Sequence, residues 1–268
     1  MPSRYVAPIV PVPVPAGARF VMSYIKAGRT WLRFMLACYL ADLHGLGVEV
    51  DLRSMFTIVP NNKDEPDRGL PAFAYRDRPG FPLVLCDHKL WEPFDPRRNP
   101  TVVMVRSPVD TLVSAYFMET RAAGHPELPV AAYLRKRIGV SRWATFHNSL
   151  VEMRGAPEVT WISYERLTEA PEATFAAVLD AFGIARDDAC IAMATQAARF
   201  DRMAAMERAQ GFPGGVTDDP DARRMREGRI GGGDRYLDDD DRRYVSQTLS
   251  ETLTPAARER LQSLGCIL

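Results

Sequence analysis

One lysine stands in a short loop that joins a β-rich run to an amphipathic segment. The run covers residues 18–24 (ARFVMSY), the loop covers residues 25–29, and Lys26 is followed by Gly28 and Thr30. A strand that turns into a helix over so few residues points several backbone N–H groups at one spot, with the helix dipole behind them. Lys26 adds a charge and Thr30 a hydroxyl, so the pattern indicates an anion site. An ordinary βα turn with an exposed lysine is the alternative.

A second candidate anion site follows the apolar run TVVMV at residues 101–105. Arg106 ends that run, and Ser107 with Pro108 is typical of a helix start. Ser107 and Ser114 are seven positions apart, nearly two helical turns, so we expect them on one face beside Arg106. A guanidinium with a hydroxyl near a helix N-terminus suits a phosphate. The alternative is an arginine that caps the sheet edge and a serine that fills a helix interface.

Strand candidates alternate with helix candidates, which predicts an α/β fold with a central, mostly parallel sheet flanked by helices. The strand candidates are short apolar runs, at residues 18–24, 83–86, 101–105 and 159–163. The helix candidates have apolar side chains at helical spacing or a capping signal at one end. They lie at residues 30–43, from 107 onward, and at 165–182, 238–252 and 255–265. Two stretches rich in Pro, Gly, Asp or Asn predict long loops, at residues 57–82 and 210–240.

The composition is that of an ordinary globular protein. The 268 residues are 46% apolar and 25% charged, and 34 basic residues balance 34 acidic ones, which disfavours a general nucleic-acid binder. Four cysteines without a CxxC pair predict reduced thiols and a cytoplasmic location. The apolar stretch at residues 31–43 contains Arg33 and Asp42, so no transmembrane helix is expected. We predict a Pro-rich lead-in at residues 1–17 and one domain at residues 18–268.

Both candidate anion sites resemble motifs of sulfotransferases that use 3′-phosphoadenosine 5′-phosphosulfate (PAPS). The family's 5′-phosphosulfate loop has the sequence YPKSGTTW, and residues 24–31 here are YIKAGRTW. The family's 3′-phosphate motif, RxPxDxxxSxY, is complete in this chain, as Arg106, Pro108, Asp110, Ser114 and Tyr116. Two such motifs in the family's order are more specific than either alone. The resemblance implies a P-loop-like strand–loop–helix in a single sulfotransferase domain.

Three later segments extend the resemblance over about residues 20–240. Residues 163–167 (SYERL) resemble the family's YEDL segment and residues 199–203 (RFDRM) its SFxxM segment, both of which lie near the adenine. Residues 225–231 (MREGRIG) resemble its RKGxxGDW segment, with Glu227 where the family has lysine and Gly232-Gly233 where it has Asp-Trp. The whole stretch 210–240 is expected to close over the nucleotide as a lid. The positions that the resemblance assigns to PAPS, and to its product PAP, are Lys26, Ala27, Gly28, Arg29, Thr30, Trp31, Arg106, Ser114, Tyr164, Phe200, Arg226, Glu227 and Gly228.

The resemblance also implies three catalytic residues. Lys26 stabilises the charge that builds on the leaving group, and Ser114 restrains Lys26 until the acceptor arrives. His88 follows the strand candidate 83–86 in the sequence CDHKL, where the family has KTH or KSH, and it removes the acceptor's proton. The ordinary pKa of histidine suits a base at neutral pH.

The chain departs from the family beside that histidine. The family's lysine two positions before it is Cys86 here, which puts the transition-state role of that lysine in doubt. Lys89 is a possible substitute on the other side of His88, and Asp87 is an alternative base. A surface histidine without a catalytic role is the remaining interpretation of His88.

These residues predict in-line transfer of a sulfuryl group from PAPS to a hydroxyl, less readily an amine, of a small-molecule or glycan acceptor, without a metal. A P-loop kinase is one alternative, although its GxxxxGK[ST] motif is absent. A catalytically inactive nucleotide-binding relative is another, favoured by the changes at Cys86 and Glu227 and disfavoured by the presence of Lys26 and His88. Neither the acceptor nor the oligomeric state follows from the sequence.

Overall fold

The computed structural model describes residues 17–61, 75, 78–88, 99–122, 128–136, 138–152, 158–213 and 218–268. The strands are β1 Arg19–Ser23, β2 Val84–Asp87, β3 Thr101–Val105 and β4 Thr160–Ser163. The helices before β4 are α1 Arg29–Leu43, α2 Met55–Ile58, α3 Pro108–Ala122, α4 Val130–Leu134 and α5 Val140–Glu152. Those after it are α6 Tyr164–Glu169, α7 Pro171–Ala181, α8 Asp188–Ala197, α9 Phe200–Gln210, α10 Asp239–Thr252 and α11 Pro255–Ser263.

The four strands form one parallel sheet in the order β2-β1-β3-β4. The chain moves from β1 to one side for β2 and then to the other side for β3, so the direction of winding reverses between β1 and β3. In an open α/β sheet, ligands bind outside the carboxyl ends of the strands at such a reversal. The sheet confirms the α/β fold expected from the sequence, and it places the functional crevice between the ends of β1 and β3.

Helices cover both faces of the sheet, which explains why the strands are buried apolar runs. All five residues of β3 are buried, as is usual for a parallel sheet between two helical layers. Alternate side chains point to opposite faces. Val102 and Met104 pack in one apolar core with α1, α7 and α8, while Val103 and Val105 pack in the other with α3, α5, α10 and α11.

The structure differs from the sequence prediction in the second half of the chain. A single helix was expected over residues 165–182, but α6 and α7 are separate, because Pro171 is the first residue of α7 and Ala170 before it leaves the helical region at φ −137° and ψ 69°. Proline lacks an N–H and disfavours helical geometry in the preceding residue. Helices α8 and α9 were not predicted. The two closing helices were, and α10 and α11 confirm them.

The two expected long loops have different outcomes. The prediction of a loop over 57–82 is wrong at its start, where α2 extends to Ile58, and residues 62–74 and 76–77 lie outside the described part. Between α9 and α10, the described residues contain only two 3-10 turns, Pro220–Ala222 and Asp234–Tyr236. The proposed lead-in falls almost wholly on residues 1–16, outside the described residues. Of the helices described, none has both the length and the apolar character needed to cross a bilayer.

Candidate active site

Each strand of the sheet contributes one predicted site residue at its carboxyl end. The loop with Lys26 follows β1, His88 follows β2, Arg106 follows β3, and Tyr164 follows β4. Because the strands are parallel and adjacent, these four side chains belong to one edge of the sheet. The sequence motifs, far apart along the chain, therefore converge on one crevice.

The loop after β1 has a backbone that suits an anion. Gly28 precedes α1 with φ 101°, and a Cβ built there would lie 2.6 Å from Met104 Cε and 2.7 Å from the Tyr164 ring. Both the conformation and the space therefore require glycine. The first N–H groups of α1, from Gly28 to Thr30, have no acceptor within the helix. They form a positive backbone end at which an anion is stabilised.

Lys26 is strained and lies among other cations. Its φ of 61° is the only positive value at a non-glycine position in the described residues, which costs about 1–2 kcal/mol. Its Nζ donates to the backbone oxygen of Arg224 at 3.5 Å. Burial, and then the charges of Arg224 and Arg106, lower the pKa of Lys26 to about 7, with Glu207 opposing them. An anion bound beside Lys26 would therefore favour the charged form of the amine.

The Tyr164 ring connects the first loop to Arg106. The ring that limits the space at Gly28 also lies under the Arg106 guanidinium, 4.2 Å from the guanidinium carbon to the ring centre. Arg106 Nη2 donates to the backbone oxygen of Arg229 at 3.0 Å. Its buried Nε has no hydrogen-bond partner among the described residues. A buried N–H without a partner is costly, and an anion in the crevice would satisfy it.

Asp110 holds a glycine-rich segment over the start of α3. Its carboxylate accepts from Gly231 N at 2.8 Å and Gly233 N at 2.7 Å, and it lies 3.5 Å from Arg106 Nη2. A Cβ at Gly233 would be 3.0 Å from the carboxylate. The glycines that replace the family's Asp-Trp therefore allow a close approach that a larger residue would hinder. The sequence placed Asp110 in the motif RxPxDxxxSxY but did not indicate these contacts.

The same segment contains Arg226, and its Gly228 packs against Phe200 of α9. Arg226 lies 4.2 Å above the Phe117 ring, and its Nη1 donates to the carboxylate of Glu227. Glu227 also accepts from Tyr236 at 3.0 Å and pairs with Arg235 at 2.6 Å. Phe200 packs directly on Gly228, where a Cβ would meet its ring at 2.3 Å. The Glu227 carboxylate therefore forms ion pairs with Arg226 and Arg235, and it orients Arg226.

His88 is held in a defined tautomer. Nδ1 lies 3.0 Å from the backbone oxygen of Ser23, an acceptor, so Nδ1 carries the proton and Nε2 carries the lone pair. Arg29 Nη2 lies 2.5 Å from Nε2 and donates to it. Burial and then the Arg29 charge lower the pKa of His88 well below its usual value. Asp87 accepts from the His88 backbone N–H at 2.6 Å, and Lys89 lies outside the described residues.

The remaining predicted residues have more limited contacts. Trp31 donates to the backbone oxygen of Ala198 at 2.8 Å, and its ring centre is 5.4 Å from that of Tyr164. Within the described chain, Ser114 Oγ has no hydrogen bond to Lys26. Ser107 Oγ accepts from Ile267 N at 2.9 Å. The Ser107 hydroxyl is therefore occupied by the backbone near Ile267, and that it shares a face with Ser114 beside Arg106 stays a prediction.

Sequence reasoning missed one residue that shapes the site. The buried carboxylate of Glu207 in α9 accepts from Arg224 N at 2.8 Å and Met225 N at 2.9 Å. It fixes the backbone whose oxygen meets Lys26. No local signal marks Glu207, because its partners are 17 and 18 positions away in a segment without regular structure.

Comparisons with known proteins agree with this geometry. The family model described as "Sulfotransferase domain" matches residues 18–256. Sulfotransferase 2B1 of Rattus norvegicus is 24% identical over 161 residues, which are 56% of this chain and 45% of the rat protein. The match thus spans less than half of that relative.

Solved structures of similar fold carry the product of the donor. Retinol dehydratase in complex with androsterone and inactive cofactor PAP covers 91% of this chain and 82% of its own, with a TM-score of 0.65 and 15% identity. Mouse sulfotransferase SULT7A1 complexed with PAP covers 91% of this chain and 88% of its own, with a TM-score of 0.62 and 18% identity. At such identities the likeness establishes the fold.

Proposed function

The chain belongs to the sulfotransferase family, and from this premise we propose that it transfers a sulfuryl group from PAPS to a hydroxyl, less readily an amine, of an acceptor. The observation that carries the proposal is the contact of one ring, Tyr164, with both anion sites. A single ligand with a phosphate at each end fits two such sites in one crevice.

The loop after β1 would hold the 5′ end of the donor. PAPS, when bound, supplies the sulfuryl group and the phosphate leaving group. The N–H groups of Gly28, Arg29 and Thr30, with the Thr30 hydroxyl, would bind the phosphate oxygens, while the N–H of Ala27 donates to the Tyr24 oxygen at 3.4 Å. Lys26 stabilises the negative charge that builds as the sulfur–oxygen bond breaks, and electrostatic stabilisation of this kind commonly dominates group transfer.

The segment held by Asp110 would bind the 3′ end. The unpartnered Nε of Arg106 and the guanidinium of Arg226 bind the 3′-phosphate, with the backbone of Gly228 beside them. Glu227, paired with two arginines, acts by orienting Arg226. The rings of Trp31, Tyr164 and Phe200 offer apolar faces to the adenine, and the Phe200 side chain is 41% exposed.

His88 is the proposed general base. Its Nε2 lone pair is the atom that accepts the acceptor's proton, since Nδ1 is committed to Ser23. Arg29 donates to that lone pair, so it must move aside before the proton is accepted. Asp87 is the alternative base. Ser114 would restrain Lys26 only after a rearrangement.

The acceptor is proposed to be a small molecule, with a glycan as the alternative. Support comes from two neighbours whose structures contain androsterone or retinol. A cytoplasmic location is proposed from the four cysteines, all of which are free thiols. The kinase alternative lacks support from the loop, whose lysine precedes its glycine.

A binding comparison and a transfer assay test the proposal. We expect PAP to bind without a metal and more tightly than ATP with or without Mg²⁺, measured by calorimetry. Incubation with PAPS and a panel of hydroxyl acceptors should give products heavier by SO₃ in mass spectrometry. Tighter binding of Mg·ATP, with phosphate transfer, would favour the kinase. Tight PAP binding with no transfer would favour an inactive relative.

The base is tested with His88→Asn, which keeps a donor toward Ser23. We expect kcat to fall by about 10²–10⁴ while PAP affinity stays within two-fold. Asp87→Asn is the matched variant for the alternative base. Full turnover in His88→Asn together with a large loss in Asp87→Asn would transfer the assignment to Asp87.

A further inference from the structure

Arg33 is buried and Arg29 is partly buried on one face of α1, and neither forms an ion pair with a carboxylate of the described residues. Arg29 and Arg33 are four positions apart and therefore share a helix face. Arg29 Nη1 and Arg33 Nε are buried N–H groups without a hydrogen-bond partner, and the Arg33 residue is only 2% exposed. Throughout the described part of the chain, neither guanidinium has a carboxylate within ion-pair distance. Buried charges are ordinarily paired. The charge of Asp87 acts on Arg29 without an ion pair, and the described contacts of Arg33 are a neutral amide and an aromatic ring, so a bound anion would be stabilised beside both arginines.

The partial contacts of these arginines show which side of the site they face. Arg29 reaches His88 Nε2, the atom that the acceptor must approach. Arg33 donates to the Asn61 amide oxygen and lies 4.3 Å above the Phe56 ring. The positive charges of Arg29 and Arg33 both lower the pKa of His88. Arg29 therefore contacts the base directly and the charge of Arg33 acts on it, whereas the loop N–H groups and Lys26 lie on the side proposed for the donor's phosphates.

Two aromatic rings, Phe56 and Phe212, lie next to one another beside Arg33. The rings of Phe56 and Phe212 meet edge to face with centres 5.9 Å apart, and the Arg224 guanidinium lies 4.7 Å above Phe212. Cation–aromatic contacts of this kind hold a guanidinium in place without neutralising it. Aromatic rings and positive charge are therefore combined around Arg33, although Phe56 and Arg33 themselves are buried.

We propose that the acceptor carries a carboxylate in addition to its reacting hydroxyl, and that Arg29 and Arg33 bind this carboxylate. The proposal rests on the proposed sulfotransferase function and specifies its substrate class. The planar guanidinium matches a carboxylate in two parallel hydrogen bonds. Among the described residues, Arg29 Nη1 is free and Nη2 donates to His88 Nε2. If the guanidinium turns to give both nitrogens to the carboxylate, Nη2 leaves His88, so such an acceptor would free the base that it needs.

The test compares two phenols of nearly identical shape, 4-hydroxyphenylacetate and 4-hydroxyphenylacetamide, by calorimetry with and without saturating PAP. The wild-type protein should bind the carboxylate about 10- to 100-fold more tightly than the amide, since charge-assisted hydrogen bonds are the stronger ones. Arg33→Gln should reduce that ratio to below about three-fold. Arg260→Gln, the same charge change at an exposed position of α11, should leave the ratio unchanged.

Equal affinities for the two phenols in the wild-type protein, or no measurable affinity for the carboxylate, would overturn the proposal. An unchanged ratio in both Arg33→Gln and Arg29→Gln would do the same, and thermal unfolding checks that each variant is folded. The PAP titration in the same experiment is read separately, because failure to bind PAP counts against the proposed function and not against the carboxylate specificity.

Discussion

The donor side of the crevice, at the ends of β1, β3 and β4, and the acceptor side, at the end of β2, are built by different means. On the donor side, short turns, glycines and backbone N–H groups create the anion sites around Gly28 and Asp110. On the acceptor side, side chains meet across the fold, such as Arg29 and His88, 59 positions apart. The site around Gly28 ties recognition to local sequence, whereas the glycines that Asp110 holds are 121 and 123 positions away. A site built from side chains can change its ligand through single substitutions. This difference fits one shared donor and a specific acceptor.

The largest expected effect comes from removing the charge of Lys26. Lys26→Met keeps the length of the side chain, and we expect single-turnover sulfuryl transfer to slow by about 10²–10³. PAP affinity should change much less, since the loop N–H groups remain. An equal loss in binding and transfer would mean that Lys26 only holds the donor, and would weaken the contrast between the two sides.

A second prediction concerns the backbone of the donor side. Gly28→Ala should lower the free energy of unfolding by about 2 kcal/mol or more, because the left-handed conformation is strained and the new Cβ meets Met104 and Tyr164. Gly45→Ala is the matched control, with φ 55° and no atom within 4 Å of its Cβ position. It should cost only about 1 kcal/mol. Equal losses in chemical denaturation would show that space at Gly28 is irrelevant.

The third prediction concerns the segment over α3. Asp110→Ala removes the acceptor of two backbone N–H groups, so we expect about ten-fold weaker PAP binding and faster hydrogen exchange at Gly231 and Gly233. Asp234→Ala is the control in the same segment. Its carboxylate is 61% exposed and pairs with Arg242, so little change is expected. Protection of the glycines that survives Asp110→Ala would contradict the anchoring role.

The smallest effect is the pH dependence of PAP binding. Because the free protein lowers the pKa of Lys26 to about 7, and a bound anion favours the charged amine, affinity is fully present below pH 7 and falls as pH rises through it. The fall due to Lys26 is about three-fold between pH 6.5 and 7.5. The ligand's own phosphate titrates as well, so the difference between wild type and Lys26→Met is the quantity to compare. If the PAP affinity of wild type and of Lys26→Met changed equally with pH, the pKa of Lys26 in the free protein would not lie near 7.

The difference between the donor side and the acceptor side also explains how much of the fold and of the site could be predicted from the sequence. The β1–loop–α1 unit and β3 were predicted closely, since apolar runs, Gly28 and Pro108 act over a few residues. The split between α6 and α7 was missed although Pro171 marks it. The hydrogen bonds of Glu207 to the backbone at residues 224–225 and the contact between Arg29 and His88 depend on residues brought together only by folding. They leave no local pattern, so only the structure places them.

The central claim, that two anion sites hold opposite ends of one nucleotide, is tested most directly by Arg106→Gln. PAP and AMP share the 5′-phosphate, and only PAP carries the 3′-phosphate. Calorimetric titration should give about a hundred-fold weaker binding of PAP to the variant, with AMP affinity changed by less than about three-fold. Equal weakening of both nucleotides, or of neither, would contradict the account.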